Sequence, residues 1–139
     1  MRWLTKAVVL ALHDRQIAEH GGSTGLRDET LLESAMARPK QLLAYGDPPP
    51  DLAALAASLT HGLARNHPFV DGNKRTAYVA GRTFLLLNDA DLICPLEDRF
   101  VQILALAEGR TSESDYANWL RGHLVPAAHG VHEERAKYK

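Results

Sequence analysis

The sequence predicts an all-α fold, a compact bundle of six or seven helices, and three observations carry that expectation. Apolar residues recur every three or four positions through most of the chain. No segment sustains the apolar/polar alternation of a half-buried strand. The periodic stretches are bracketed by good cap residues on one side and by glycine or proline on the other.

Leu4, Val8, Val9, Leu12 and Ile17 keep helical spacing around Thr5, a good N-cap, and Gly21-Gly22 stops the pattern. Residues 21–26 read as a glycine-rich loop. Asp28 then caps a second helix with Leu31, Leu32, Ala35 and Met36 on its apolar face, and Pro39 is expected to end it. Residues 41–45 are the one place where a short strand is expected. Three consecutive prolines, 48–50, exclude helix interior and central strand, whereas Asp51 suits the cap of an Ala- and Leu-rich helix reaching Asn66.

Residues 73–88 are apolar on nearly every face, through Ala77, Val79, Ala80, Phe84, Leu85, Leu86 and Leu87, so this is the expected central helix. After a turn at 88–91, Pro95 suits the first turn of a helix that carries Leu96, Phe100, Ile103, Leu104 and Leu106 towards Gly109. Ser112 and Asp115 have the spacing of a capping box and open a last helix that ends near Leu124, before Pro126. Residues 1–126 thus form the expected domain, and 127–139 a polar tail with room for a short helix.

A chain of 139 residues fits one domain whose core buries roughly two-thirds of the unfolded surface. Sixteen Lys and Arg against seventeen Asp and Glu leave a net charge of -1, too little to hold a polyanion, so nucleic acid is not an expected direct partner. A single cysteine, Cys94, excludes an internal disulfide and a four-cysteine zinc site and suits a reducing compartment. The apolar run after Lys6 is short, meets His13-Asp14-Arg15 at once and lacks a small-residue cleavage site. No stretch approaches the roughly 20 apolar residues of a membrane span. The expectation is a cytoplasmic protein with no membrane partner.

The most specific segment is His67-Pro68-Phe69-Val70-Asp71-Gly72-Asn73-Lys74-Arg75. Pro68 disfavours helix at His67, Gly72 permits a tight turn, and Asn73 is a good N-cap for the apolar helix after it, so the segment reads as a helix-loop-helix junction. Free N–H groups in a first helical turn, together with the helix dipole, make an anion site, and phosphate is its obvious ligand. Lys74 and Arg75 each oppose that dipole by about 0.3 to 1 kcal/mol unless an anion is present, a local conflict of the kind that falls at functional sites. A carboxylate at Asp71 would repel the anion unless a divalent cation joined them, and magnesium held by one carboxylate plus substrate phosphates fits. His67 can accept the proton of an attacking hydroxyl. Phe69 is assigned to pinning the loop inward.

This segment resembles the Fic/Doc motif H-x-F-x-[D/E]-G-N-[G/K]-R. A chance match to so many fixed positions, each at about 5% usage, is on the order of one in a million for a chain this short. The similarity to death-on-curing (Doc) toxins extends through Ala11-Leu12-His13-Asp14, Gly21-Gly22 and Gly25-Leu26-Arg27-Asp28, over roughly residues 3–124. AMP-transferring Fic enzymes usually carry a second glycine where this chain has Lys74, and a second arginine where it has Tyr78, so both departures point to Doc. Pro68 and Gly72 are more similar to the Fic form.

The resemblance implies a toxin that transfers the γ-phosphate of ATP, with magnesium, to a Thr or Ser hydroxyl of a bacterial target, elongation factor Tu, arresting translation. By the same resemblance His67 would be the general base, Asp71 the magnesium ligand or its orienter, and Gly72, Asn73, Lys74 and Arg75 the phosphate-holding group. Two alternatives remain open: AMP transfer on the same scaffold, and a non-catalytic module that only docks a partner. Many Fic proteins carry an inhibitory helix, [S/T]-x-x-x-E-[G/N], but the sole Glu-Gly here, Glu108-Gly109, has Leu104 where the hydroxyl residue belongs. The resemblance therefore implies a separate antitoxin of the prevent-host-death type, whose arm would order on binding.

The histidine pairs 13/20, 61/67 and 129/132 lack the ligand spacing of a zinc site. His61, Arg65, Trp3 and Trp119 read as structural, and Tyr45 with residues 46–50 is a candidate for the family's target-positioning flap.

Overall fold

In a computed structural model, which describes residues 1–127, six helices and a two-stranded ribbon succeed one another in chain order. They are α1 (Lys6–His20), α2 (Glu29–Tyr45), α3 (Leu52–Asn66), α4 (Asn73–Leu87), β1 (Ala90–Leu92), α5 (Leu96–Ala107), α6 (Glu113–His123) and β2 (Leu124–Pro126). The all-α class is as expected. Of the expected polar tail, residues 128–139 lie outside the described part.

Four helices start where a short polar side chain meets the first free N–H groups. Thr5 accepts from Val8, Asp28 from Leu31, Asp51 from Ala54 and Ser112 from Asp115, at 2.9 to 3.2 Å. Such caps are each worth about 1 kcal/mol, and all four are legible in the sequence.

The interior corrects three expectations. The central helix is α3, not α4: α3 packs against α2, α4, α5 and α6, and ten of its residues, from Ala53 to Ala64, are buried. Its small Ala, Gly, Ser and Thr side chains let neighbours approach from every side, while α4 keeps Lys74 and Leu86 exposed. One close approach is at Gly81 of α4, where an added Cβ would collide with the Thr60 hydroxyl.

Pro39 does not end α2, which runs through it to Tyr45 and so replaces the short strand expected at 41–45. One lost ladder bond costs about 3 kcal/mol. Burial offsets it: Leu32, Ala35 and Pro39 are buried along one face, and Pro39 shares a small apolar crevice with Trp3, Met36, Leu59 and Phe84. The strands that do form were not anticipated. Ala90, Asp91 and Leu92 pair antiparallel with Pro126, Val125 and Leu124. Three residues are too few to display a period of two, and the partner is distant in sequence.

Trp3 stacks on Phe84 with ring centroids 5.7 Å apart, and Trp119 packs beside Tyr116, so both tryptophans belong to the core periphery. α1 lies against α4. That contact brings the first loop of the chain onto the junction between α3 and α4.

Candidate active site

α3 ends at Asn66, and His67 adopts the left-handed conformation with φ 49° and ψ 57°. This is costly for a non-glycine residue, more so before a proline, and such strain concentrates at functional sites. Phe69 turns inward and is 2% exposed, as expected of the residue that pins the loop. Gly72, with φ 74°, makes the turn into α4.

Here the structure corrects the expected cap. Gly72 occupies the N-cap position and Asn73 is the first helical residue, with no side-chain cap. The Asn73 amide instead turns back on the loop, donating to the Phe69 carbonyl and accepting from the Phe69 N–H, both at 2.9 Å. This closes a ring that a capping bond would not. The side chain of Asn73 is therefore spent on loop geometry and accepts from none of the free N–H groups at the start of α4. The first helical bond runs from Thr76 N–H to Gly72, so the N–H groups of Asn73, Lys74 and Arg75 have no intrahelical partner.

Asp71 is exposed, and its two carboxylate oxygens accept from Ser23 N–H at 3.1 Å and Gly72 N–H at 2.8 Å. The bond from Ser23, then that from Gly72, holds its carboxyl below the usual carboxylate range, with a smaller contribution from the Arg75 charge. Gly22 makes room for this: an added Cβ there would lie 2.6 Å from an Asp71 oxygen. Arg75 donates to the Gly21 carbonyl at 2.9 Å, tying the glycine loop to α4. Lys74 is exposed and forms no ion pair among the described residues.

The segment bordering the motif is residues 21–28. Leu26 bridges Phe69 in antiparallel fashion, Val70 donates to Gly25, and Arg27 donates from its side chain to the carbonyls of Asn66 and His67. Tyr45 and Gly46, considered for a flap, line a different cleft with Arg38, Gln41 and Glu113. None of residues 46–50 lines the motif's cavity.

That cavity, about 410 Å³, is bounded by His67, Asp71, Gly72, Asn73, Lys74 and Arg75, with Val70 and Phe100. All six residues singled out in the sequence thus meet around one space. Sequence reasoning missed His13, which stacks on Phe69 and bonds the Asp71 carbonyl, and Arg27. Both stood inside quoted stretches of resemblance, yet nothing local marked either. His61 and Arg65 are structural, as expected: Arg38 donates to Nδ1 of His61 and also pairs with Glu113, and Arg65 donates to Ala107. Glu108 ends α5 and pairs with Arg110, away from the cavity.

Among the described residues no three His, Cys, Asp or Glu side chains come together as a metal cage. The donors do suit magnesium held by a single carboxylate, because Asp71 faces the cavity and keeps lone pairs beyond the two its N–H donors occupy.

A helical scaffold that gathers a histidine, a carboxylate and two cations at one helix N-terminus has the inventory of a phosphoryl-handling domain. Residues 3–85 match the model of the Fic/DOC family. The chain is 33% identical over 121 residues to "Protein kinase doc" of Escherichia phage P1, covering 87% of this chain and 94% of that one. It is 52% identical over 73 residues to "Toxin Doc" of Mycolicibacterium smegmatis, a match spanning 52% of this chain and 55% of the relative. The chain belongs to the Fic/Doc family.

Proposed function

We propose that this protein is the toxin of a toxin–antitoxin pair and a kinase that moves the γ-phosphate of ATP to a Ser or Thr hydroxyl of a target protein. Elongation factor Tu is the target the family resemblance implies, and the bacterial cytoplasm the place. The observation that carries the reading is Lys74, an exposed cation in the first turn of α4 beside three N–H groups without helical partners. The names of the two relatives, one a toxin and one a protein kinase, support it.

Each residue of the site has its own part in the transfer. The N–H groups of residues 73–75 with the Lys74 and Arg75 side chains hold the phosphates, with charge-assisted hydrogen bonds that tighten as charge shifts onto the bridging oxygen. Magnesium, when bound with the nucleotide, neutralises phosphate charge, and Asp71 is the carboxylate to hold it. His67 takes the proton of the target hydroxyl as that oxygen bonds to the γ-phosphorus. The bond from phosphorus to the bridging oxygen breaks, and ADP leaves. Positioning and charge do most of this chemistry.

An antitoxin of the prevent-host-death type remains part of the reading. Leu96 and Phe100 of α5 are 75% and 67% exposed, and Phe100 also borders the motif's cavity. An apolar arm laid there would cover both. Among the described residues no helix is long and apolar enough to cross a membrane.

The test is transfer to proteins of a bacterial extract from ATP labelled on the α or on the γ phosphate, beside His67→Ala. Label from γ alone that needs His67 is the expected result. Label from α would replace the reading by AMP transfer, which the Fic-like Pro68 and Gly72 would then explain. No His67-dependent label would leave a docking module.

A further inference from the structure

Arg27 grips the backbone that carries the base. Its Nε donates to the carbonyl of His67 at 2.7 Å and its Nη2 to that of Asn66 at 2.9 Å, while its own N–H donates to the carbonyl of Pro68 at 2.7 Å. Three successive carbonyls are thus held by one residue, assisted at Pro68 by the N–H of Asp28. At Pro68 the carbonyl is the only backbone handle, because proline has no N–H to donate. The chain needs a handle there. His67 sits in the left-handed region directly before a proline, and no hydrogen bond holds its exposed ring among the described residues. Where its side chain starts is therefore set by the backbone conformation. A guanidinium at the C-terminal end of α3 also meets the negative end of the helix dipole, which favours the contact.

We propose that Arg27 is a positioning residue for His67, holding the strained backbone in the conformation that aims the imidazole into the cavity; this rests on the reading of His67 as the base. A planar fork with two donors at fixed spacing suits two adjacent carbonyls, so lysine, with one nitrogen at the end of a flexible stem, replaces it poorly. Arg27 is exposed, so its removal leaves the core intact.

The experiment compares Arg27→Ala, Arg27→Lys and His67→Ala in γ-phosphate transfer, with melting temperature and the imidazole NMR signals of each full-length protein. His67 signals are those missing from His67→Ala. Arg27→Ala is expected to lower kcat about 100-fold, the effect of a displacement near 1 Å, at unchanged KM for ATP. The His67 imidazole signals shift while the melting temperature holds, added guanidinium ion restores part of the rate, and Arg27→Lys recovers little. Unchanged kcat and unshifted His67 signals in Arg27→Ala, with His67→Ala inactive, would overturn the role of Arg27 alone. A raised KM at unchanged kcat would overturn it too, making Arg27 a substrate contact. Full transfer by His67→Ala would overturn the base itself and the positioning role with it. Should Arg27→Ala fail to fold, Arg27→Lys carries the same measurements.

Discussion

The imidazole of His13 lies flat on Phe69, with ring centroids 3.8 Å apart and planes 5° from parallel, and its Nε2 donates to the Asp71 carbonyl at 2.8 Å. A carbonyl can only accept, so Nε2 carries the proton. One side chain of α1 therefore braces both the buried anchor of the motif loop and the residue that presents its carboxylate. His13 is 2% exposed, so this brace works in a dry environment where an unmade bond is expensive.

His13→Phe keeps a ring on Phe69 and removes the donor, leaving the Asp71 carbonyl unsatisfied at a cost of about 1 to 3 kcal/mol. His13→Ala removes ring and donor together and is expected to cost about 3 to 5 kcal/mol. Urea unfolding of the two variants measures the difference, and equal losses would assign the effect to the hydrogen bond alone.

Asp71 sets a pH window. Its carboxyl is held below its ordinary value of 3.8, so its contribution to stability is fully present above that value and disappears as pH falls through the lower folded value. The melting-temperature difference between the native protein and Asp71→Asn should be flat from neutral pH down to about 5 and close only below about 4. The same variant is expected to lose magnesium-dependent transfer, read by titrating the metal.

Lys74 opposes the dipole of α4 in the absence of an anion. Lys74→Ala should therefore raise stability by about 0.3 to 1 kcal/mol while lowering the transfer rate about 100-fold. Thermal unfolding without nucleotide and a γ-phosphate transfer assay read the two effects in one variant. A loss of both stability and rate would show that Lys74 serves the fold instead.

Gly81→Ala tests what seats α4 against α3. Thr60 is 1% exposed and its hydroxyl already donates to Ala56 at 2.8 Å, so it cannot swing clear of a new methyl without breaking that bond. The expected loss is about 1 to 3 kcal/mol by denaturant unfolding. Because α4 begins at the motif, transfer should fall with it, and Thr60→Ser combined with Gly81→Ala should leave most of the loss in place.

Much of this protein is written in neighbouring residues. The four caps lie within three positions of the N–H groups they satisfy, Pro68 and Gly72 shape the motif through their own dihedral angles, and helical periodicity needs only one turn to show itself. Local rules misled where packing outweighed them. Pro39 stays inside α2 because its ring is buried, and Asn73 gives up the cap because Phe69 offers it both a donor and an acceptor.

By itself, then, the sequence determined the all-α class, the cap positions of four helices and the chemical inventory of the site, since each depends on residues a turn or less apart. Only the tertiary structure decided which helix is central, which loop guards the motif and which residues hold it. His13 and Asp71 are 58 positions apart, and Arg27 and His67 are 40. Contacts of that span exist only once α1 has settled on α4, and no local preference of either residue encodes them.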